Sequence, residues 1–339
     1  MGARTGPSMM PGGDKAAYEY LKPILEAIAA EADGVPCVAY MGKGAAGHYV
    51  KMVHNGIEYA MMQMISEVYD FLRRGLNYSN EQLQATFDTW NRGQLQSFLI
   101  EVTEDVFRTK DPETDNHLID LILDQAGSKG TGKWTSQEAM NLPVSIPTID
   151  TAVAMRDLSV YKSLRQQAAQ LYKPQLVPVK GEGKQVLAEL ENALAFGFAV
   201  AYAQGLSMLA KASGVLGMEI PLPSVIQVWK AGCIIRSALL GNFAEAFAKD
   251  PTLPNILLDG AIARILQQRE ESLRSIVTQG IRSRIPLPCL SSALSYYDAF
   301  LSERMPTNLI QAQRDHFGAH TYQRIDREGV FHTEWHREE

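Results

Sequence analysis

The chain has 339 residues, 46% apolar and 21% charged, with a formal net charge of −6. That length suits about two domains, and the composition is that of a globular chain able to bury a large core. The acidic balance excludes broad electrostatic binding to nucleic acid or anionic lipid, so an anionic ligand would need a local basic pocket.

Residues 1–13 carry no apolar signal core. Helical periodicity begins at residues 14–30. The short run 36–41, with Val38 and Tyr40, reads as a strand. Helical patterns follow over residues 45–74, 80–108, 148–172, 183–213, 224–248, 259–282 and 291–304, with Pro and Gly at their ends. The longest apolar stretch, 193–209, contains Gln204 and Ser207 and reads as a buried helix rather than a membrane span. Cys37, Cys233 and Cys289 have no metal or redox spacing; they read as buried thiols in a reducing, cytoplasmic setting.

The chain also repeats itself. Gly75, Trp90, Gly93, Lys110-Asp111-Pro112 and Leu118-Ile119-Asp120 recur 139 residues later as Gly214, Trp229, Gly232, Lys249-Asp250-Pro251 and Leu257-Leu258-Asp259. Gln96-Ser97-Phe98-Leu99 matches Arg236-Ser237-Ala238-Leu239 after a one-residue insertion. The expected fold is all-α: two copies of a multi-helix unit packed in one large helical domain.

Two glycine motifs need separating from their look-alikes. Gly42-Lys43-Gly44-Ala45-Ala46-Gly47 satisfies G-x-G-x-x-G between an extended run and a helix. A dinucleotide site needs a second parallel strand with an acidic residue about 20 residues on, and here the helix simply continues. We read the motif as a Gly-rich elbow. Gly127-Ser128-Lys129-Gly130-Thr131-Gly132-Lys133 approaches a P-loop, but Trp134 stands where the magnesium-holding hydroxyl belongs. Its backbone, lysines and threonine still suit a phosphate.

The helix from Ala45 carries Lys51, His54, Asn55, Glu58 and Tyr59. Positions 51, 55 and 58 are i, i+4 and i+7, one helical face. Met52, Val53, Ile57 and residues 61–65 make the rest of the helix apolar, so the lysine and carboxylate are expected to be partly buried with shifted pKa values. The repeat places Leu190, Leu194 and Gly197 opposite Lys51, Asn55 and Glu58. The second copy keeps the helix without the polar row, so folding does not require those groups.

Residues 44–67 (GAAGHYVKMVHNGIEYAMMQMISE) resemble the signature helix of the decarboxylating 6-phosphogluconate dehydrogenases. Residues 6–13 (GPSMMPGG), 129–135 (KGTGKWT) and 309–322 (LIQAQRDHFGAHTY) resemble three further motifs of that family, in the right order. The resemblance implies oxidation of 6-phosphogluconate by NADP, then loss of CO₂ to give ribulose 5-phosphate, a step of the pentose phosphate pathway, with no metal. It implies Lys51 as the base at the C3 hydroxyl and Glu58 as the acid of the enediol step. His54 and Asn55 would bind the hydroxyl and carboxylate region. Tyr59, Lys129, Thr131 and Arg156 would form the phosphate pocket. Arg314 and His320 would reach the neighbouring site of a homodimer.

On this resemblance residues 1–43 are the last loop, helix and strand of a cofactor-binding domain. Residues 44–305 form the helical substrate and dimer domain, and 306–339 a C-terminal helix and tail. The family's true fingerprint for the NADP pyrophosphate has no counterpart here, so cofactor-binding residues are unassigned and the chain alone is expected to be truncated and inactive. A β-hydroxyacid dehydrogenase relative shares the Lys-x₃-Asn logic, but lacks a duplicated unit and such a tail. A non-catalytic helical dimer that binds phosphosugar, or pairs with a full-length subunit, is the remaining alternative.

Overall fold

The computed structural model describes residues 2–335. A single turn, α1 (Gly2–Thr5), precedes α2 (Lys15–Ile28), whose N-cap Asp14 accepts the Ala17 amide at 2.7 Å. The expected strand over 36–41 is mostly not a strand. β1 (Glu31–Ala32) and β2 (Val35–Pro36) make a two-residue antiparallel hairpin, and Val38 then forms an isolated parallel bridge with Met9. The amides of Met9, Met41 and Gly13 reach the carbonyls of Cys37, Pro11 and Gly42 at 2.9, 2.7 and 2.9 Å. The side chains favour extended backbone, but a ladder needs a continuous neighbour. The neighbour here includes Pro11, which has no amide to give.

The site helix is α3 (Ala46–Asp70), prolonged by a π turn over Phe71–Gly75. The pattern over 80–108 divides into α4 (Asn80–Asn91), held by a Ser79/Gln82 capping box, and α5 (Phe98–Arg108), capped by Ser97. Then come α6 (Thr131–Asn141), α7 (Pro147–Val160), α8 (Lys162–Tyr172) and α9 (Gly183–Val215). The chain continues through α10 (Leu222–Trp229), α11 (Leu239–Lys249), α12 (Gly260–Gln267), α13 (Glu270–Ser283), α14 (Pro288–Phe300) and α15 (Thr307–Gly318). Helix α6 falls between the helical patterns of 80–108 and 148–172. Its moment is weak because Gly130, Gly132 and Lys133 crowd its start.

Helix α9 is long and apolar enough to cross a membrane, yet 89% of that window is buried inside this fold. Its Gln204 is satisfied there: Oε1 accepts the Thr148 amide at 3.0 Å and Nε2 donates to Thr148 Oγ1 at 2.9 Å. A buried amide with both ends paired is tolerated in a core.

The duplication appears as element order. Helices α3, α4 and α5 with a 3₁₀ turn at Leu118–Leu121 correspond to α9, α10 and α11 with a 3₁₀ turn at Ile256–Leu258. The copies meet at equivalent residues. Ser97 and Ser237 form an antiparallel bridge, flanked by Phe98 N–H to Arg236 O at 3.1 Å and Ala238 N–H to Gln96 O at 2.9 Å. Antiparallel pairing of equivalent residues is the self-complementary contact of a local two-fold axis.

Two compact units divide the chain, Met1–Leu294 and Ser295–Glu339. Within the second, buried Asp315 accepts from the amides of Thr321 and Thr333 at 2.9 and 3.0 Å and from Trp335 Nε1 at 2.9 Å. The last four residues of the expected tail, 336–339, lie outside the described residues.

Candidate active site

The site begins with how α3 is launched. Gly42, at φ +121°, leaves no room for a Cβ, which would run into the Met218 carbonyl; a Cβ on Gly47 would run into that of Met10. Two of the three glycines of the G-x-G-x-x-G motif, Gly42 and Gly47, are therefore consumed by backbone packing, while a Cβ on Gly44 would meet nothing within 4 Å.

From that elbow α3 carries Lys51, His54, Asn55 and Glu58 into one cluster. Lys51 Nζ lies 3.2 Å from His54 Nδ1, which lies 3.1 Å from Asn55 Oδ1 and 4.0 Å from Glu58 Oε2. His54 is fully buried and its ring meets Trp229 edge-on at 5.9 Å between centroids. Burial, reinforced by the charge of Lys51, lowers the His54 pKa to about 3, so the imidazole is neutral. A neutral Nδ1 either accepts from Lys51 or donates to Asn55, not both.

Burial also pulls Lys51 below its ordinary range, against the opposing pull of Glu58 and Cys233. The same desolvation pushes Glu58 up, opposed by Lys51 and Arg156. One helix face thus holds an amine biased toward its basic form and a carboxyl biased toward its acid form, the pairing that separates proton acceptor from proton donor. Cys233 is pushed up to about 12 by burial, so it brings no thiolate to Lys51.

The first turns of helix α6 pack against this face. Gly130, at φ +97°, turns the chain into α6, and Asn55 Nδ2 donates to Thr131 Oγ1 at 3.1 Å. From α7, the Arg156 guanidinium lies 3.4 Å above the centre of the Tyr59 ring, and its Nη1 donates to the Gly127 carbonyl at 3.4 Å. A cavity of about 660 Å³ opens beside Lys51 and Thr131, lined also by His48, Tyr49 and Trp134. An open helix N-terminus beside an arginine suits an anion, and the Lys51 end suits a group that gives up a proton.

The sequence matches the model of the 6-phosphogluconate dehydrogenase C-terminal domain over residues 47–335, and that of the NAD binding domain of 6-phosphogluconate dehydrogenase over residues 1–42. The decarboxylating enzyme of Lactococcus lactis subsp. lactis is 49% identical over all of this chain and 72% of its own length. The NADP(+)-dependent enzyme of Bacillus subtilis is 47% identical over 98% of this chain and 71% of its own. The chain belongs to the 6-phosphogluconate dehydrogenase family.

A solved 6-phosphogluconate dehydrogenase from Plasmodium falciparum, studied in its apo form, with NADP+ and with 6-phosphogluconate, superposes with a TM-score of 0.96 at 42% identity. The match covers 98% of this chain and 72% of that one. This dehydrogenase family is NADP-dependent and decarboxylating, which sets aside the β-hydroxyacid relative. Of the residues singled out in the sequence, the structure brings Lys51, His54, Asn55, Glu58, Tyr59, Thr131 and Arg156 together. Lys129 stands exposed just before α6. Arg314, whose Nη1 donates to Gln311 Oε1 at 3.2 Å, and His320, edge-on to Phe317, are both exposed in the second unit.

Sequence reasoning missed Trp229 and Cys233 near the Lys51 face. Trp229 was noticed solely as a repeat anchor. It missed Thr135 and Gly56 at the α3–α6 crossing, although both lie inside quoted motifs. No single-helix pattern signals a residue whose role is to touch another helix.

Proposed function

We propose that this chain carries the substrate-side chemistry of the NADP-dependent oxidative decarboxylation of 6-phosphogluconate to ribulose 5-phosphate and CO₂. The observation that carries the reading is the opposed pair on α3: Lys51 lowered and Glu58 raised by the same burial, beside a phosphate-suited helix end.

NADP, the family's cofactor, supplies the hydride acceptor. Neutral Lys51 takes the C3 hydroxyl proton as C3 is oxidised to a ketone. The resulting ammonium faces the new carbonyl oxygen and stabilises the negative charge that grows there. The C1–C2 bond then breaks, CO₂ leaves, and its electron pair forms the enediol, whose oxygen takes up the Lys51 proton. Glu58 delivers a proton to the carbon that lost CO₂ while the enediol hydroxyl returns its proton to Lys51, which restores a carbonyl in the product. His54 and Asn55 hold the hydroxyl and carboxylate region, while Tyr59, Lys129, Thr131 and Arg156 take the phosphate. A homodimer in which Arg314 and His320 complete the neighbour's pocket, working in the cytoplasm, belongs to the same reading; Leu309, Ile310 and Phe317 on α15 are exposed, as a docking segment would have them.

Calorimetric titration with 6-phosphogluconate beside an NADP reduction assay tests this. Saturable binding, weakened by Arg156→Met, is the expected result. A folded chain that binds no 6-phosphogluconate would overturn the pocket. With a full cofactor-binding domain of the family supplied, binding without any NADPH formation would leave the non-catalytic alternative.

A further inference from the structure

We propose that Thr135 fixes the spacing between the phosphate-binding head of α6 and Lys51, and so selects the length of phosphorylated substrate the site accepts. This rests on the reading of Lys129, Thr131 and Arg156 as the phosphate pocket and of Lys51 as the group at C3.

Thr135 is fully buried. Its Oγ1 lies 2.9 Å from the Thr131 carbonyl and 2.9 Å from the Met52 carbonyl. The first contact is the ordinary i−4 back-bond of a helical threonine. The second crosses between helices, to the residue immediately after Lys51. The hydroxyl has one proton, shared between the two carbonyls or given to one of them; given to Met52, it ties the start of α6 to the turn of α3 that carries the proton acceptor.

The crossing is built for that contact. A Cβ on Gly56 would lie 2.6 Å from Thr135 Cγ2 and 3.0 Å from its Oγ1. A Cβ on Gly132 would lie 2.5 Å from the Tyr59 ring. Each helix gives up a side chain where the other presses closest, and the Asn55–Thr131 hydrogen bond lies within the same crossing. Close-packed interiors hold such a contact rigidly, because no void lets the helices slide. A substrate gripped at one end by α6 and attacked at the other by Lys51 binds productively at one separation, and misplacement of about 1 Å costs up to about 10²-fold in rate.

A ruler has a signature that a mere stabiliser lacks: it matters to ligands that span both ends. Wild type, Thr135→Val and Thr135→Ser are each titrated calorimetrically with 6-phosphogluconate and, separately, with inorganic phosphate. Thr135→Val keeps the shape and loses the hydroxyl, so it should weaken 6-phosphogluconate about tenfold while phosphate stays within about twofold, and Thr135→Ser should restore the affinity. Unchanged 6-phosphogluconate affinity in Thr135→Val, or an equal loss for both ligands, overturns the proposal. Should Thr135→Val not fold, Gly56→Ala, which forces the threonine off α3, must show the same selective loss, and equal effects on both ligands overturn it there. A folded wild type that binds neither ligand sinks the phosphate-pocket reading itself and the proposal with it, which keeps the two failures apart.

Discussion

Lys51 and Glu58 lie seven residues apart on α3, and burial pushes them in opposite directions. In the chain joined to a full cofactor-binding domain of the family, Lys51→Met should lower NADPH formation by at least the ~10²–10⁴-fold of a lost general base, and leave 6-phosphogluconate binding measurable. Near-normal turnover would refute the role. Glu58→Gln should instead slow release of ribulose 5-phosphate more than the hydride step; a slowed hydride step alone would remove Glu58 from the acid role. His54 makes a stability prediction. Its pKa falls from 6.5 to about 3 on folding, so the unfolded chain takes up the proton first. The stability tied to neutral His54 is complete above 6.5 and is lost as pH falls toward 3, by at most about 1.4 kcal/mol per pH unit. Urea unfolding of His54→Asn between pH 3 and 4.5 should show a shallower pH slope than wild type. Equal slopes would mean the imidazole is not held neutral.

At the scale of elements, α3 and α14 share one buried carboxylate. Glu67, 3% exposed, accepts the Cys289 and Leu290 amides at 2.8 and 3.0 Å and the Gln63 amide group at 3.2 Å. It does for α14 what an N-cap residue does, from another helix. Burial outweighs those hydrogen bonds and raises its pKa from 4.5 to about 7. A raised carboxyl works opposite to His54: its contribution is full below 4.5 and is lost as pH rises through 7. Between 4.5 and 6.5 the two groups oppose each other, so Glu67 is best read from pH 6.5 upward. There Glu67→Gln, which cannot ionise, should unfold with a flatter pH dependence than wild type. An unchanged profile would show that the carboxylate is ionised throughout. The same element scale explains the split helices: Ser97 supplies a new N-cap inside the 80–108 pattern, and at Tyr161 the backbone leaves the helical region at ψ 46°.

At the scale of the whole molecule, the copies of the repeat are joined through the Ser97–Ser237 bridge and the Arg236–Glu101 ion pair, while one copy alone carries the polar row. The equivalents Leu190, Leu194 and Gly197 on α9 are all buried, and a Cβ on Gly197 would meet Met64 of α3. One copy has become the wall against which the other displays its chemistry. Assembly is the test that belongs here. A homodimer is expected in sedimentation, and Phe317→Glu, at an exposed position of α15, should shift it toward monomer without unfolding the first unit. A monodisperse wild-type monomer would contradict the exchanged-tail arrangement.

Periodicity determined that the chain is helical and that Lys51, Asn55 and Glu58 share a face, because spacing along one helix is a local property, and the recurrence of Gly75, Trp90 and Lys110-Asp111-Pro112 139 residues on pointed to the duplication. It also gave the elbow at Gly42, since the following pattern leaves no place for a second strand. Helix α6 escaped it, because its glycine-rich start has little apolar signal of its own; the close approach to α3 is what makes those glycines useful. The strand at 36–41 was over-read for the converse reason: extended backbone is local, but a sheet requires a partner. The direction of each pKa shift, the Arg156–Tyr59 stack and the Thr135–Met52 contact were decided by tertiary structure, because burial and inter-helix distance arise when residues far apart in sequence are packed together.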